Sequence, residues 1–145
     1  MTAKLLSLRN LVRLAGFLQF CQIPAMIFSP KMLNWEEDLA KLSPINRNIV
    51  LVIGAAIVLT VVGSGVVVAG ATEMVGGGRL GTAFCGFLGV FWLYRDAVQV
   101  FLYAKIWPKG ALGRLSYYGL TALFTFLAGV YLTAFAVTLL KWRNL

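Results

Sequence analysis

The chain has 145 residues, of which 60% are hydrophobic and only 12% charged, whereas a soluble domain carries about a quarter charged residues; that balance excludes a soluble globular fold, and the length suits a single domain. Lys and Arg outnumber Asp and Glu by 13 to 5, a net charge of +8, but the basic residues stand mostly at the ends of apolar runs, which points to anionic lipid head groups and away from nucleic acid. The chain contains no His, so the commonest metal ligand, the usual haem ligand and the Ser-His and Cys-His catalytic pairs are all missing, and neither a cofactor, a metal nor a catalytic residue is expected.

Because a helical span uses about 20 apolar residues, the sequence predicts an all-α integral membrane protein. The expected form is a four-transmembrane-helix bundle filling 1–145, with spans near 8–30, 44–71, 80–106 and 116–140. The first run is free of charge over 14–30, with Arg9 and Arg13 placed to reach back to the head groups. No small-residue cleavage site precedes Lys31, so the segment is expected to be retained. Pro24 should kink this helix, with Ser29 and Pro30 ending it.

Asn34 followed by Glu37 resembles a capping box, and Trp35, Leu39 and Leu42 recur at helical spacing beside Glu36, Glu37 and Asp38. A short interfacial helix between the first two spans is expected. Ser43 and Pro44 read as the N-cap and first residue of the second span. That span is rich in Val, yet it must be helical because lipid offers no partner for unpaired backbone groups. Gly76, Gly77 and Gly78 then permit a tight turn, and no Gly-Lys-Ser/Thr follows to make a phosphate loop. Glu73 reads as a solvated carboxylate at a helix end.

The third span carries two charges, Arg95 and Asp96. At 100° per residue, Gly81, Cys85, Gly89, Trp92, Asp96, Gln99 and Tyr103 fall in a stripe about 80° wide. Small and polar residues on one stripe should face the bundle, leaving Phe84, Phe87, Val90, Leu93, Val98 and Phe101 for lipid. Counting helical rise places Gln19 and Gln22 of the first span at a similar depth, so Gln19, Gln22, Arg95, Asp96 and Gln99 are expected to form one buried polar layer. Arg95 and Asp96 carry opposite charges, so a structural clamp is favoured over a transport or proton site. Close packing is assigned to Gly81, Cys85 and Gly89, to Thr60 and Ser64 with Ala56 on the second span, and to Thr125 and Gly129 with Thr121 and Thr133 on the fourth. Trp35, Trp107, Tyr117 and Trp142 are assigned as interfacial anchors. Cys21 and Cys85 differ in depth by more than disulfide reach and are read as buried packing residues.

Four spans put both termini on one side. Basic residues outside the spans divide evenly, with Lys4, Arg9, Arg13, Arg79, Lys141 and Arg143 against Lys31, Lys41, Arg47, Lys105, Lys109 and Arg114, and the basic first segment favours cytoplasmic termini. The residues Trp35, Asp38, Leu39, Leu42, Ser43, Pro44 and Arg47, followed by Trp92, Arg95 and Gln99, resemble the W-x-x-(D/E)-L-x-x-L-S/N-P-x-x-R and W-x-x-R-x-x-x-Q patterns of a group of small uncharacterised bacterial inner-membrane proteins. The size also resembles DoxX-like membrane proteins at the level of fold. These resemblances imply an architecture and a bacterial inner-membrane location, with no activity attached. The functional expectation is a structural or accessory subunit of a bacterial membrane assembly, in contact with lipids and other membrane subunits and without catalysis of its own. The alternative is a small transporter or ion-conducting oligomer built on Arg95, Asp96 and Gln99.

Overall fold

In a computed structural model, the structure describes residues 2–70 and 78–143, with side chains placed over 7–70 and 78–141. Helix α1 is Thr2–Leu18, followed by a 3₁₀ turn Gln19–Gln22, α2 Ile23–Met32, α3 Trp35–Ala40, α4 Pro44–Gly70, α5 Arg79–Ala97, a π-helical segment Val98–Tyr103, and α6 Ala111–Arg143. Four stretches are long and apolar enough to cross a membrane: Ser7–Met32, Pro44–Gly70, Arg79–Tyr103 and Ala111–Lys141. Gly76, Gly77 and Glu73 lie outside the described residues, as does the side chain of Trp142.

Pro24 explains the break in the first span. It has no N–H for the Phe20 carbonyl, and its ring crowds that same oxygen. The chain responds by tightening, so that the Ile23 N–H bonds to Phe20 O in a 3₁₀ turn while Leu18 and Gln22 keep right-handed helical angles. The break therefore rewinds a continuous rod instead of ending it. At Pro30, expected to stop the helix, the missing donor falls on Met26 O, where the Ser29 hydroxyl donates at 3.5 Å. Helix α2 runs through Pro30 to Met32.

Asn34 is not the capping-box residue its spacing suggested. It adopts left-handed angles, φ 51° and ψ 40°, and its side chain makes no cap bond. Asn tolerates that region better than most residues, and here it turns the chain so that its carbonyl accepts from Glu37 N and Asp38 N. Acidic residues still crowd the first turn of α3, where the helix dipole favours them. Ser43 caps α4 as expected, its Oγ accepting from Asn46 N at 3.5 Å ahead of Pro44. Thr82 returns both its N–H and its hydroxyl to Gly78 O, which starts α5.

The third span closes earlier than its apolar pattern implied. After Tyr103 the chain turns, with Ile106 N and Trp107 N both donating to Tyr103 O. Helix α6 then begins at Ala111 instead of Ser116. The Trp107 indole holds that first turn by donating to Gly113 O at 2.9 Å, with Ser116 Oγ at 3.2 Å. A side chain at position 113 would overlap the Pro108 carbonyl.

Helices α5 and α6 make the most extensive contact, α1 and α4 form a second pair, and α1 against α6 joins the two pairs. Lipid tails are as apolar as the helix surfaces, so association relies on close packing. At Gly16 a Cβ would lie 2.9 Å from Val68 Cγ1, and at Gly89 it would lie 2.6 Å from Leu132 Cδ2, so both positions let backbones approach closely. Trp92, Leu127, Tyr131, Val12, Ala15 and Val61 fill the centre and are fully buried. Helix α4 is peripheral, with 17% of its apolar stretch buried against 33% for α6.

Candidate functional site

At the centre, three helices meet through hydrogen bonds. Gln19, placed inward by the 3₁₀ turn, donates from Nε2 to the Tyr131 hydroxyl on α6, while Ser64 Oγ on α4 donates to Gln19 Oε1 at 2.9 Å. Gln19 and Tyr131 are fully buried and Ser64 nearly so. Ser64 Oγ also lies 3.2 Å from Val61 O, so its one proton has two acceptors to choose from. A primary amide can give and accept at once, which lets one side chain tie α1 to two neighbours. Neither Tyr131 nor the Gln19–Ser64 pairing was assigned from sequence. The available signal was Tyr131 itself, a phenol midway along an apolar span, where a buried hydroxyl requires a partner.

The expected five-membered layer is divided. Gln19, Gln22 and Gln99 are buried, while Arg95 and Asp96 are half-buried. Among the described residues, no hydrogen bond or ion pair joins any two of the five. Asp96 Oδ2 instead lies 3.0 Å from the Thr125 hydroxyl on α6, whose one proton has Thr121 O at 2.9 Å as its other acceptor, and the Arg95 guanidinium sits 5.3 Å above the Phe124 ring. Trp92 lies 5.5 Å from that same ring. The charges that sequence placed in one clamp therefore turn to adjacent residues of α6, one toward a hydroxyl and the other toward a π face. Gln22 Nε2, Trp92 Nε1, Arg95 Nε, Asp96 Oδ1 and Gln99 Nε2 are buried without a hydrogen-bond partner.

Winding changes where these residues sit. The π segment starts immediately beyond Ala97 and carries Gln99. It contains neither Pro nor Gly, so a helix breaker is not its cause, and π turns recur at functional sites in other proteins.

The small-residue assignments separate by helix. Gly81, Cys85 and Gly89 are buried on α5, and Ser64 is buried on α4. Thr60 is not on the packing face: it is exposed, and its hydroxyl returns to Ala56 O at 2.8 Å within its own helix. Residues 61, 64, 65 and 68 form the buried face of α4. Thr125, Gly129 and Thr133 are likewise exposed, lining an open groove with Leu8, Leu11, Phe126 and Val130 between α1 and α6. The inward side of α6 is taken by Phe124, Leu127, Ala128, Tyr131 and Ala134. Cys21 is exposed, whereas Cys85 is buried, and both are free thiols. Phe87, Val90, Leu93 and Phe101 point outward.

At the α5–α6 turn, Tyr103, Trp107, Tyr117 and Tyr118 form a chain of ring contacts 5.3 to 6.0 Å apart, with exposed Lys105, Lys109 and Arg114 around it. Trp35 is half-buried at the start of α3. In the same helix region, Lys41 pairs with Asp38 at 3.0 Å and Glu37 at 3.4 Å. Its ammonium is held above the usual 10.5 by the Asp38 hydrogen bond and charge and then by Glu37. As pH rises through the raised value the ammonium loses its proton and the pairing is lost.

Among the described residues, no group of three or more His, Cys, Asp or Glu is placed to hold a metal ion. Comparison with protein-family models, with curated proteins and with solved structures finds no match to this chain.

Proposed function

We propose that the protein is a non-catalytic subunit of a bacterial inner-membrane assembly, docking laterally through the outer face of α6. One observation carries this reading: the stripe Thr125, Gly129 and Thr133 is exposed in a groove, and a Cβ at Gly129 would meet nothing within 4 Å. Small residues four apart are what a second transmembrane helix uses to approach closely. Here Thr125 meets Asp96 of α5 and α1 forms the far wall of the groove through Leu8 and Leu11, so the open ground on this face lies at Gly129 and Thr133. In this reading both termini are cytoplasmic, α3 lies along the membrane interface, and the aromatic turn with Lys105, Lys109 and Arg114 contacts lipid head groups on the opposite side. The resemblance to small bacterial inner-membrane proteins agrees with that placement.

Extraction in mild detergent followed by native electrophoresis tests the proposal. The protein is expected to migrate with larger membrane proteins, and Gly129→Leu should release it while leaving its own thermal stability unchanged. Wild-type protein that runs alone, or a Gly129→Leu variant that stays in the larger species, contradicts it. The second reading, a small ion-conducting oligomer, is favoured by the unmatched polar atoms along α5. Ion flux through liposomes containing the purified chain alone would support that reading.

A further inference from the structure

The turn between α5 and α6 gathers positive charge that the chain itself does not answer. No Asp or Glu follows Asp96 in the sequence, and among the described residues Lys105, Lys109 and Arg114 form no ion pair. All three are exposed. Around α3 the balance differs: Lys31, Lys41 and Arg47 are matched in number by Glu36, Glu37 and Asp38, and Lys41 already pairs with Glu37 and Asp38. Two spans separate these connections, so in a four-span arrangement both lie on one side of the membrane. The excess charge on that side belongs to the α5–α6 turn.

That turn holds two of its charges close together. A Cβ at Gly113 would overlap the Pro108 carbonyl oxygen, so the two backbones touch, and Arg114 N donates to Gly110 O at 2.9 Å. Lys109 and Arg114 each stand one residue beyond that contact, which puts their Cα atoms about 10 Å apart or less. Their long stems span that gap to one shared phosphate. The Trp107 indole fixes the arrangement through Gly113 O and Ser116 Oγ, and a backbone ordered in advance lowers the entropy lost on binding. Apolar side chains lie among the cations: Leu112 is 64% exposed and Leu115 71%, one helical turn apart on the same face. The rings of Tyr103, Trp107, Tyr117 and Tyr118 set the depth of the turn, since such rings lie at head-group level. A phosphate free in solution would use the cations alone, whereas a phospholipid uses the apolar residues as well. A zwitterionic lipid brings its own cation beside the phosphate and so answers the charge less well.

We propose that Lys109 and Arg114 form a selective site for the phosphodiester of an anionic phospholipid, with Lys105 adding to the charge and Leu112 and Leu115 against the acyl chains. The site goes beyond the general head-group contact given above; it rests on that placement of the turn and not on lateral docking. Native mass spectrometry of the purified chain, in neutral detergent with equimolar phosphatidylglycerol and phosphatidylcholine, tests it. Phosphatidylglycerol should be retained over phosphatidylcholine by roughly tenfold and should raise the melting temperature. Lys109→Gln with Arg114→Gln should abolish the preference while melting like the wild type in lipid-free detergent. Lys31→Gln with Arg47→Gln, which removes the same charge on the same side, should keep it. Equal retention of the two lipids by the wild type overturns the proposal, whether or not the variants fold. Equal loss of preference in both double variants does so too, because attraction would then follow net charge alone. Soluble glycerol phosphate that displaces the lipid at equal concentration would also contradict it, since the apolar residues would then contribute nothing.

Discussion

Asp96 and Arg95 adjoin in sequence, yet one meets the Thr125 hydroxyl while the other lies over Phe124. Their energies should separate accordingly. In a double-mutant cycle, Asp96→Asn with Thr125→Val should show coupling near the measured range for membrane hydrogen bonds, about 0.6 to 1.7 kcal/mol. Arg95→Leu with Asp96→Leu should instead be additive within about 0.5 kcal/mol. Recovery of stability in the latter double variant would restore the two charges to one clamp. Gln19 has more at stake because it serves both Ser64 and Tyr131. Gln19→Leu leaves the Tyr131 hydroxyl without its partner, while Ser64 keeps Val61 O as an acceptor, and should cost about 1 to 3 kcal/mol for the group stranded. Tyr131→Phe, which removes one end of the network, should cost less. Thermal melting in detergent reads both, and a Gln19→Leu variant as stable as wild type contradicts the network. The inward polar stripe of α5 was legible in sequence because residue type and helical period agree there. The partners of Asp96 and Arg95 were not, since helical period fixes which way a residue faces and not which residue of the next helix stands opposite.

At the scale of whole helices, glycines that look alike in sequence divide by what surrounds them. A Cβ at Gly89 would lie 2.6 Å from Leu132 Cδ2 and 3.1 Å from the Leu132 backbone nitrogen. Gly89→Ala should therefore force α5 and α6 apart at a cost of about 1 to 3 kcal/mol. Gly54 and Gly129 have open space at the same position, and Ala at either should change stability by no more than about 0.5 kcal/mol. Equal melting temperatures for the Gly89 and Gly129 variants would contradict the packing described. Pro24 acts at the same scale. Its effect was legible as a kink, but the response, a 3₁₀ turn that swings Gln19 into the core, depends on α4 and α6 being there to meet the amide. Pro30 was misleading for a related reason. One missing donor on Met26 O, approached by the Ser29 hydroxyl, does not outweigh the remaining helical bonds.

For the whole molecule, the apolar runs placed the membrane-length helices because each must satisfy its own backbone in lipid. Helix pairing was another matter. The stripe of Thr125, Gly129 and Thr133 has the same spacing as an internal packing seam, and only the burial of Phe124, Leu127, Tyr131 and Ala134 shows that α6 turns a different side inward. What meets the outward side decides whether the protein is a subunit or acts alone. A photo-crosslinking amino acid in place of Gly129, activated in intact native membranes, asks that question directly. The expected result is an adduct with a larger membrane protein, absent when the group replaces outward-facing Leu59 on α4. Adducts at position 129 confined to lipid or to this chain's own α1 would contradict lateral docking and leave the protein as a bundle that works by itself.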